Sequence, residues 1–255
     1  MVHAVTRPSP IEIDKGPVAK RIGLVLLATD HTSERDFAHI VPRDEVAVYC
    51  SRIAFENPTT PDNLRAMQPR LIEGAALILP DEPLDAICYS CTAASAVLGD
   101  EAVAAALDKG KPGAAVVTPP MAARKGLAAL GARRISILTP YLEETAAPVA
   151  DYFAAHGFAV DRLTNLGIDD DRTIARVATR AIVEAARDAL DPRSHALFIS
   201  CTALRAAEVA DAIEALNGRP VVTSNQASAW MCLRLAGIER PFPGYGRLLT
   251  LPLLN

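Results

Sequence analysis

The sequence predicts an α/β protein made of two pseudo-symmetric parallel-sheet halves, with the active site in the cleft between them. Short β-branched runs alternate with alanine-rich helical stretches, which is typical of βαβ units and of a sheet covered on both faces. Gly110, Gly131, Gly157 and Gly218 each follow a helical run, so each is expected at the left-handed position after a helix. The predicted strands are 21–27, 46–50, 85–90, 113–118, 134–138, 158–163, 195–200 and 220–223.

An internal repeat predicts the two halves. The motif Arg-Ile-(Gly/Ser) begins a strand at Arg21 and again at Arg134, and a Ser-Cys-Thr triplet follows around Cys91 and Cys201. The separation from arginine to cysteine is 70 residues in the first copy and 67 in the second. Each copy then continues to a Val-Val-Thr strand. Two copies of one flavodoxin-like unit explain this agreement.

The repeat also predicts the domain organisation. Residues 1–18 are proline-rich without periodicity and are expected to form a mobile N-terminal arm. The first α/β half is expected over 19–118 and the second over 119–223, with the C-terminal residues 224–255 joining the first half.

Composition excludes several classes of function. The chain has 255 residues, is half hydrophobic and carries a net charge of −4, with no basic block to follow phosphates, so nucleic acid is not an expected partner. No apolar run approaches the ~20 residues that span a bilayer, and no export signal opens the chain, so we expect a cytoplasmic protein without membrane contact. Five cysteines, an odd number, argue against a disulfide framework. The expected partner is a small carboxylate substrate, and a homo-oligomer is left open.

The paired cysteines are the candidate catalytic residues. Each ends an apolar strand and precedes a run predicted as helix, so Cys91 and Cys201 are both expected at a helix N-terminus. Such N-termini favour a thiolate and a substrate carboxylate. Thr92 and Thr202 would add a hydroxyl beside each sulfur. A single cysteine at such a position would be explained by packing, but a matched pair favours function.

Other chemistries are weaker. Cys88 and Cys91 have the spacing of a zinc or redox pair, yet no second pair completes a metal site, so no metal is predicted. Neither phosphate-binding glycine motif occurs in the required context, so no nucleotide cofactor, and no cofactor of any kind, is predicted.

Further candidate substrate-binding residues follow neighbouring strands. Thr29 and Asp30 follow the first strand, where Asp30 would bind substrate or cap a helix. Tyr141 is expected to open the helix at the equivalent place in the second half, and Asn165 follows the 158–163 strand.

The paired Ser-Cys-Thr motifs resemble the aspartate/glutamate racemase superfamily, in the branch of maleate cis-trans isomerase, arylmalonate decarboxylase and the ectoine-utilisation proteins. The similarity runs through RIGLVLLATD, YSCTAAS, VVTPP, ILTPY, FISCTAL and VVTSNQASAW, over about residues 20–250. The resemblance implies that Cys91 and Cys201 act from opposite faces of a substrate without pyridoxal phosphate or metal. It implies substrate contacts for Thr92, Thr202, Tyr141 and Asn165.

Two departures bear on the substrate. Maleate isomerases carry a Pro-Ser-Ser-Asn type segment after the first strand, where this chain has Leu27-Ala28-Thr29-Asp30. Arylmalonate decarboxylases lack the cysteine that stands here at Cys91. The stretch from Thr29 to Phe37 is most similar to the ectoine-utilisation proteins, whose substrates would carry an amine or amide nitrogen for Asp30 to face.

The sequence therefore predicts an isomerase that racemises or epimerises a carbon next to a carboxylate, or that converts cis to trans across a double bond. Arylmalonate-type decarboxylation, in which only Cys201 protonates a carbanion, is one rival hypothesis. A two-lobed binding protein without catalysis is another, although two thiols facing one cleft argue against it.

Overall fold

The structure is a computed structural model that describes residues 2–5, 10–14 and 16–254. Residues 2–5, 10–14 and 16–19 contain neither helix nor strand. The predicted N-terminal arm, 1–18, lies in part outside the described residues, which omit positions 1, 6–9 and 15.

Two four-stranded parallel sheets form the framework, and the prediction of two similar halves is confirmed. The strand order is β2-β1-β3-β4 in one sheet and β6-β5-β7-β8 in the other, so the two sheets have the same topology. Every neighbouring pair runs parallel. The strands are β1 (Lys20–Leu27), β2 (Val46–Ile53), β3 (Ala86–Tyr89), β4 (Ala115–Val117), β5 (Arg134–Thr139), β6 (Ala159–Asn165), β7 (Ala196–Ile199) and β8 (Val221–Thr223).

Helices connect the strands and pack against them. They are α1 (Ser33–Ile40), α2 (Pro61–Arg65), α3 (Arg70–Ala76), α4 (Thr92–Leu98), α5 (Asp100–Gly110), α6 (Pro119–Ala129), α7 (Glu143–Ala155), α8 (Asp171–Ile174), α9 (Thr179–Ala189), α10 (Ala210–Asn217) and α11 (Ser224–Leu235), with 3-10 turns at Ala207–Val209 and Arg247–Thr250.

The repeated threonines after β4 and at the end of β8 are helix caps. The hydroxyl of Thr118 accepts a hydrogen bond from the N–H of Met121 at the start of α6. Thr223 does the same for Gln226, whose side chain accepts the N–H of Thr223 in return and completes a capping box on α11. The repeat therefore preserves the strand-to-helix turn as well as the strands.

Three of the four glycines have the predicted role. Gly131, Gly157 and Gly218 have positive φ angles of 73°, 85° and 64° and end the preceding helices. The prediction for Gly110 is wrong, because this residue is the last of α5 and has no positive φ. A Cβ there would overlap the carbonyl oxygen of Ile72, so Gly110 allows α5 to pack closely on α3.

The C-terminal segment packs onto the rest of the chain through α11. This helix is buried along nearly its whole length and lies against α1, α6 and β3. The indole nitrogen of Trp230 donates to the carbonyl of Leu251 at 2.8 Å. The division at residue 118, with 224–255 joining the first half, remains our proposal. Within the described part of the chain, no helix combines the length and apolarity needed to cross a bilayer.

Candidate active site

The central strands β3 and β7 lead to the two candidate cysteines. All four residues of each strand are buried, as expected for strands covered on both faces. Each strand lies third in its sheet, so Cys91 and Cys201 follow equivalent strands of the two halves. The carboxyl ends of such strands form the usual ligand crevice of a parallel sheet.

Cys91 occupies the predicted helix start. It has extended backbone angles and is the N-cap of α4, and its carbonyl accepts the backbone N–H and the hydroxyl of Ser95. The N–H of Ala94 is directed at the sulfur. One unpaired N–H group of the first helical turn, that of Ala94, therefore interacts with this thiol.

Cys201 does not stand at a helix N-terminus, and that prediction is wrong. The chain bends through residues 202–204, and α10 begins only at Ala210. The backbone of Cys201 also differs from that of Cys91, because Cys201 has a φ of 92° whereas Cys91 is extended. The N–H groups of Ala203 and Leu204 are nevertheless directed at its sulfur, so a loop supplies the donors expected from a helix. A positive φ at a residue with a Cβ costs about 1–3 kcal/mol, and such strain is concentrated at functional sites.

The thiols share one closed environment. Cys91 is 6% exposed and Cys201 is 5% exposed, and a charge on Cys201 raises the pKa of Cys91. Burial raises the pKa of Cys201 to about 12, although the hydroxyl of Tyr141 and the loop N–H groups oppose that rise. Burial raises the pKa of Cys91 further. Both groups are therefore thiols at neutral pH in this closed cleft.

Tyr141 and Asn165 lie at different distances from the thiols. Tyr141 lies in the bend between β5 and α7, two residues before the helix it was expected to open, and its hydroxyl contacts Cys201. Asn165 is the last residue of β6, the edge strand of its sheet. Because β5 lies between β6 and β7, the strands β6 and β7 are about 10 Å apart. Its amide oxygen accepts the hydroxyl of Thr139 at 3.1 Å.

The hydroxyl groups of Thr92 and Thr202 bind protein atoms. Thr92 donates to the hydroxyl of Ser224 at 2.8 Å, and Thr202 donates across the halves to the carbonyl of Ser90 at 3.1 Å. Both side chains are buried. Substrate contacts from these two residues would therefore use the oxygen lone pairs or the backbone N–H.

Asp30 caps α1 and is also close to the thiols. Its Oδ1 accepts the N–H groups of Thr32 and Ser33, and its Oδ2 accepts the hydroxyl of Ser33 at 2.7 Å. Burial raises the pKa of this carboxyl group, and its charge in turn raises the pKa of Cys91. The side chain of the neighbouring Thr29 reaches the second half, where it contacts Asp171.

Sequence reasoning missed Asp171, which receives the hydrogen bond from Thr29. The hydroxyl of Thr29 donates to Oδ2 of Asp171 at 2.6 Å. Burial raises the pKa of Asp171 to about 6, and its negative charge raises the pKa of both thiols. The signal was three consecutive aspartates, 169–171, after β6. Only Asp170 of these caps α8.

A buried polar network below Cys201 was also missed. The amide nitrogen of Asn225 donates to the carboxylate of Asp36 and to the carbonyl of Thr202, each at 2.8 Å. The hydroxyl of Thr32 donates to the carbonyl of Ala203 at 2.7 Å. Residues from the start of α1 and from α11 therefore hold the loop that carries Cys201.

Metal ligands are not grouped in this cleft. Among the residues that the structure describes, no cluster of three or more histidine, cysteine, aspartate or glutamate side chains could hold a metal ion. All five cysteines are free thiols.

Known proteins share this architecture. Paired parallel sheets of this topology define the aspartate/glutamate racemase-like class, in the branch of maleate isomerases and arylmalonate decarboxylases. The family model described as arylmalonate decarboxylase matches residues 75–249. The chain belongs to the arylmalonate decarboxylase family.

Individual relatives carry two different names. A maleate isomerase from Nocardia farcinica is 29% identical over 241 residues, covering 90% of this chain and 95% of that protein. An arylmalonate decarboxylase from Bordetella bronchiseptica is 34% identical over 126 residues, covering 48% and 52%. A cysteine-to-serine mutant of the Nocardia farcinica maleate cis-trans isomerase, solved with a covalently bound succinylcysteine intermediate, superposes with a TM-score of 0.83 at 28% identity, covering 91% of this chain and 98% of that one.

Proposed function

We propose that the protein is a cofactor-independent isomerase in which Cys91 and Cys201 act together on a small carboxylate substrate. The observation that carries this proposal is the pair of thiols at equivalent strand ends, close enough for the charge of one to raise the pKa of the other. Relatives named maleate isomerase that cover 90% of the chain support an isomerase.

Racemisation or epimerisation would use the pair symmetrically. One sulfur, as thiolate, takes the proton from the carbon next to the carboxylate and becomes a thiol. The opposite thiol then delivers its proton to the other face of that carbon and becomes a thiolate, so the two cysteines exchange protonation states. The N–H groups of Ala94, Ala203 and Leu204 would stabilise the enolate-like charge that forms between these steps.

Cis-trans isomerisation would use the pair covalently. One thiolate adds to a carbon of the double bond while the other thiol protonates the neighbouring carbon. The carbon–carbon bond is then single and rotates. Loss of the same proton and of the thiolate restores the double bond in the trans form. The covalent succinylcysteine of the Nocardia farcinica structure supports this route as an alternative.

Decarboxylation of a malonate-type acid is the second candidate, and the family match favours it. The N–H groups would stabilise the carbanion left by carbon dioxide, and Cys201 alone would protonate it. Cys91 would then be dispensable. Replacement of Cys91 therefore distinguishes the isomerase from the decarboxylase.

The charges of the cleft favour a nitrogen-bearing substrate over a dicarboxylate. Asp30 and Asp171 both lie near the thiols, and like charges repel strongly in a partly dry cleft. An amino acid or an N-acylated diamino acid, the kind of compound that the breakdown of ectoine would supply, offers N–H groups to these carboxylates. We therefore propose this substrate class.

Proton NMR in deuterated buffer tests the proposal with a panel of amino acids, N-acetylated diamino acids, maleate and aryl malonates. Racemisation gives deuterium at the α-carbon, isomerisation gives fumarate, and decarboxylation gives loss of carbon dioxide. Cys91→Ser and Cys201→Ser should each lower the rate by about 10²- to 10⁴-fold.

Cys50→Ser is the matched control, because Cys50 is exposed on β2 and should leave the rate unchanged. Full activity in Cys91→Ser, together with release of carbon dioxide, would replace the isomerase by the decarboxylase. Absence of all three signals in the wild type would refute both.

A further inference from the structure

Asp171 is held across the two halves by residues of the first half. The hydroxyl of Thr29 donates to its Oδ2 at 2.6 Å, and its own N–H donates to the side-chain oxygen of Asn57 at 3.1 Å. Thr29 follows β1 and Asn57 follows β2. The contacts therefore fix Asp171 against the first half, close enough for its charge to act on both thiols.

The second carboxylate oxygen of Asp171 has no protein partner among the described residues. Thr29 is the donor to Oδ2, and within the described part of the chain no side chain or backbone group donates to Oδ1. The residue is only 6% exposed. Oδ1 is not among the fully buried side-chain atoms that lack a partner, so this oxygen reaches solvent and can accept a hydrogen bond from a ligand.

Asp30, the acidic residue of the cleft that the sequence singled out, differs in this respect. Both of its oxygens already accept hydrogen bonds from the first turn of α1. Its carboxylate therefore adds negative potential to the cleft, whereas Asp171 has an oxygen available for contact.

We propose that Asp171 determines the substrate class, its free oxygen Oδ1 accepting a hydrogen bond from an ammonium or N–H group that the substrate carries besides its reacting carboxylate. This inference rests on the proposed function, since it concerns the same cleft. It selects amino acids and their N-acyl derivatives over dicarboxylates.

Electrostatics support a second consequence, activation of the thiols by the substrate itself. Among charged groups, Asp171 raises the pKa of Cys91 and of Cys201 the most. An ammonium or N–H group bound to Asp171 offsets that charge, so substrate binding lowers the pKa of both thiols and favours the thiolate. A dicarboxylate would raise the pKa of both thiols further.

The first test needs no substrate. Alkylation of Cys91 and Cys201 by iodoacetamide, followed by mass spectrometry of the peptides, measures the thiolate fraction of each. Asp171→Asn should raise both rates at pH 8 by about tenfold, the change that one pKa unit produces.

Asp170→Asn is the matched control, with the same change of charge one residue away on a partly exposed side chain that pairs with Arg172. Asparagine also remains a good N-cap there. Its alkylation rates should equal those of the wild type. Equal rates in Asp171→Asn and Asp170→Asn would overturn the electrostatic part of the inference.

The second test compares kcat/KM for an amino acid or N-acetylated diamino acid with kcat/KM for maleate. Asp171→Asn should shift this ratio at least tenfold towards maleate, while Asp170→Asn leaves it unchanged. An unchanged ratio in Asp171→Asn overturns the inference and leaves the proposed function standing. If no compound in the panel reacts, the proposed function fails, and the alkylation rates still decide whether Asp171 controls the thiols.

Discussion

Replacement of Asp36 by asparagine should change the pH dependence of stability. Asp36 is 3% exposed, its Oδ2 accepts the amide N–H of Asn225 at 2.8 Å, and its nearest cation is the half-exposed Arg35 at 4.0 Å. Burial raises the pKa of this carboxyl group from 3.8 to about 7. The folded protein therefore holds a proton on Asp36 over a range of pH in which the unfolded chain has released it.

The sign and size of the effect follow from linkage. A raised folded pKa contributes stability that is fully present below pH ~4 and lost as pH rises to ~7. About three pKa units correspond to about 4 kcal/mol. In Asp36→Asn the side-chain oxygen still accepts from Asn225, but the ionisation is gone. Relative to the wild type, the variant should become more stable by up to about 4 kcal/mol between pH 4 and pH 7.

Urea denaturation at one-unit steps from pH 4 to pH 8 measures this difference. The contribution of Asp171 is common to both proteins and cancels, while Asp30, whose charge raises the pKa of Asp36, adds a smaller change of the same sign. Asp170→Asn is the control, because Arg172 lowers the pKa of Asp170 and the resulting pH dependence lies below about pH 4, so the stability difference between that variant and the wild type should be nearly constant over this range. A stability difference between Asp36→Asn and wild type that does not change with pH would refute the reasoning.

Three further tests probe the architecture of the site. Asn225→Leu should lower the free energy of unfolding by about 3 kcal/mol, measured by urea denaturation, because it leaves two buried acceptors without a donor; a loss below 1 kcal/mol would contradict this. Cys201→Gly should be less destabilising than Cys91→Gly by about 1 kcal/mol, because glycine adopts a φ of 92° without strain. Cys91 has an ordinary extended backbone, so glycine relieves no strain there. The reverse order of stability in thermal unfolding would refute the backbone strain at Cys201. Thr29→Val should raise the pKa of Asp171, because the hydroxyl stabilises the charged carboxylate, and NMR titration of that carboxyl should detect the rise; an unchanged value would exclude the contact.

Much of the fold was predictable because its signals are local. Each predicted strand is present, with bounds that differ by up to three residues, since apolar β-branched runs between helical stretches have few other uses in a parallel sheet. The repeat predicted the shared strand order, because two copies of one sequence pattern form one topology twice.

Parts of the candidate site were predictable for the same reason. Cys91 follows a buried strand and precedes alanine-rich helix α4, so its position at a helix start can be derived from neighbouring residues. Tyr141 could be expected near Cys201, because β5 and β7 are neighbours. The sequence alone thus determined two halves, their parallel sheets and the equivalent strand ends where a ligand would bind.

Tertiary structure decided the rest. The positive φ of Cys201 depends on a loop held by Thr32 and Asn225, residues far from it in sequence, and an Ala-Leu run beside it favours helix by local propensity. Asp171 became a cleft residue through its contact with Thr29, which lies 142 positions away. Neither contact leaves a local pattern, because hydrogen bonds between distant segments and the burial of a charge are determined only when both halves have packed together.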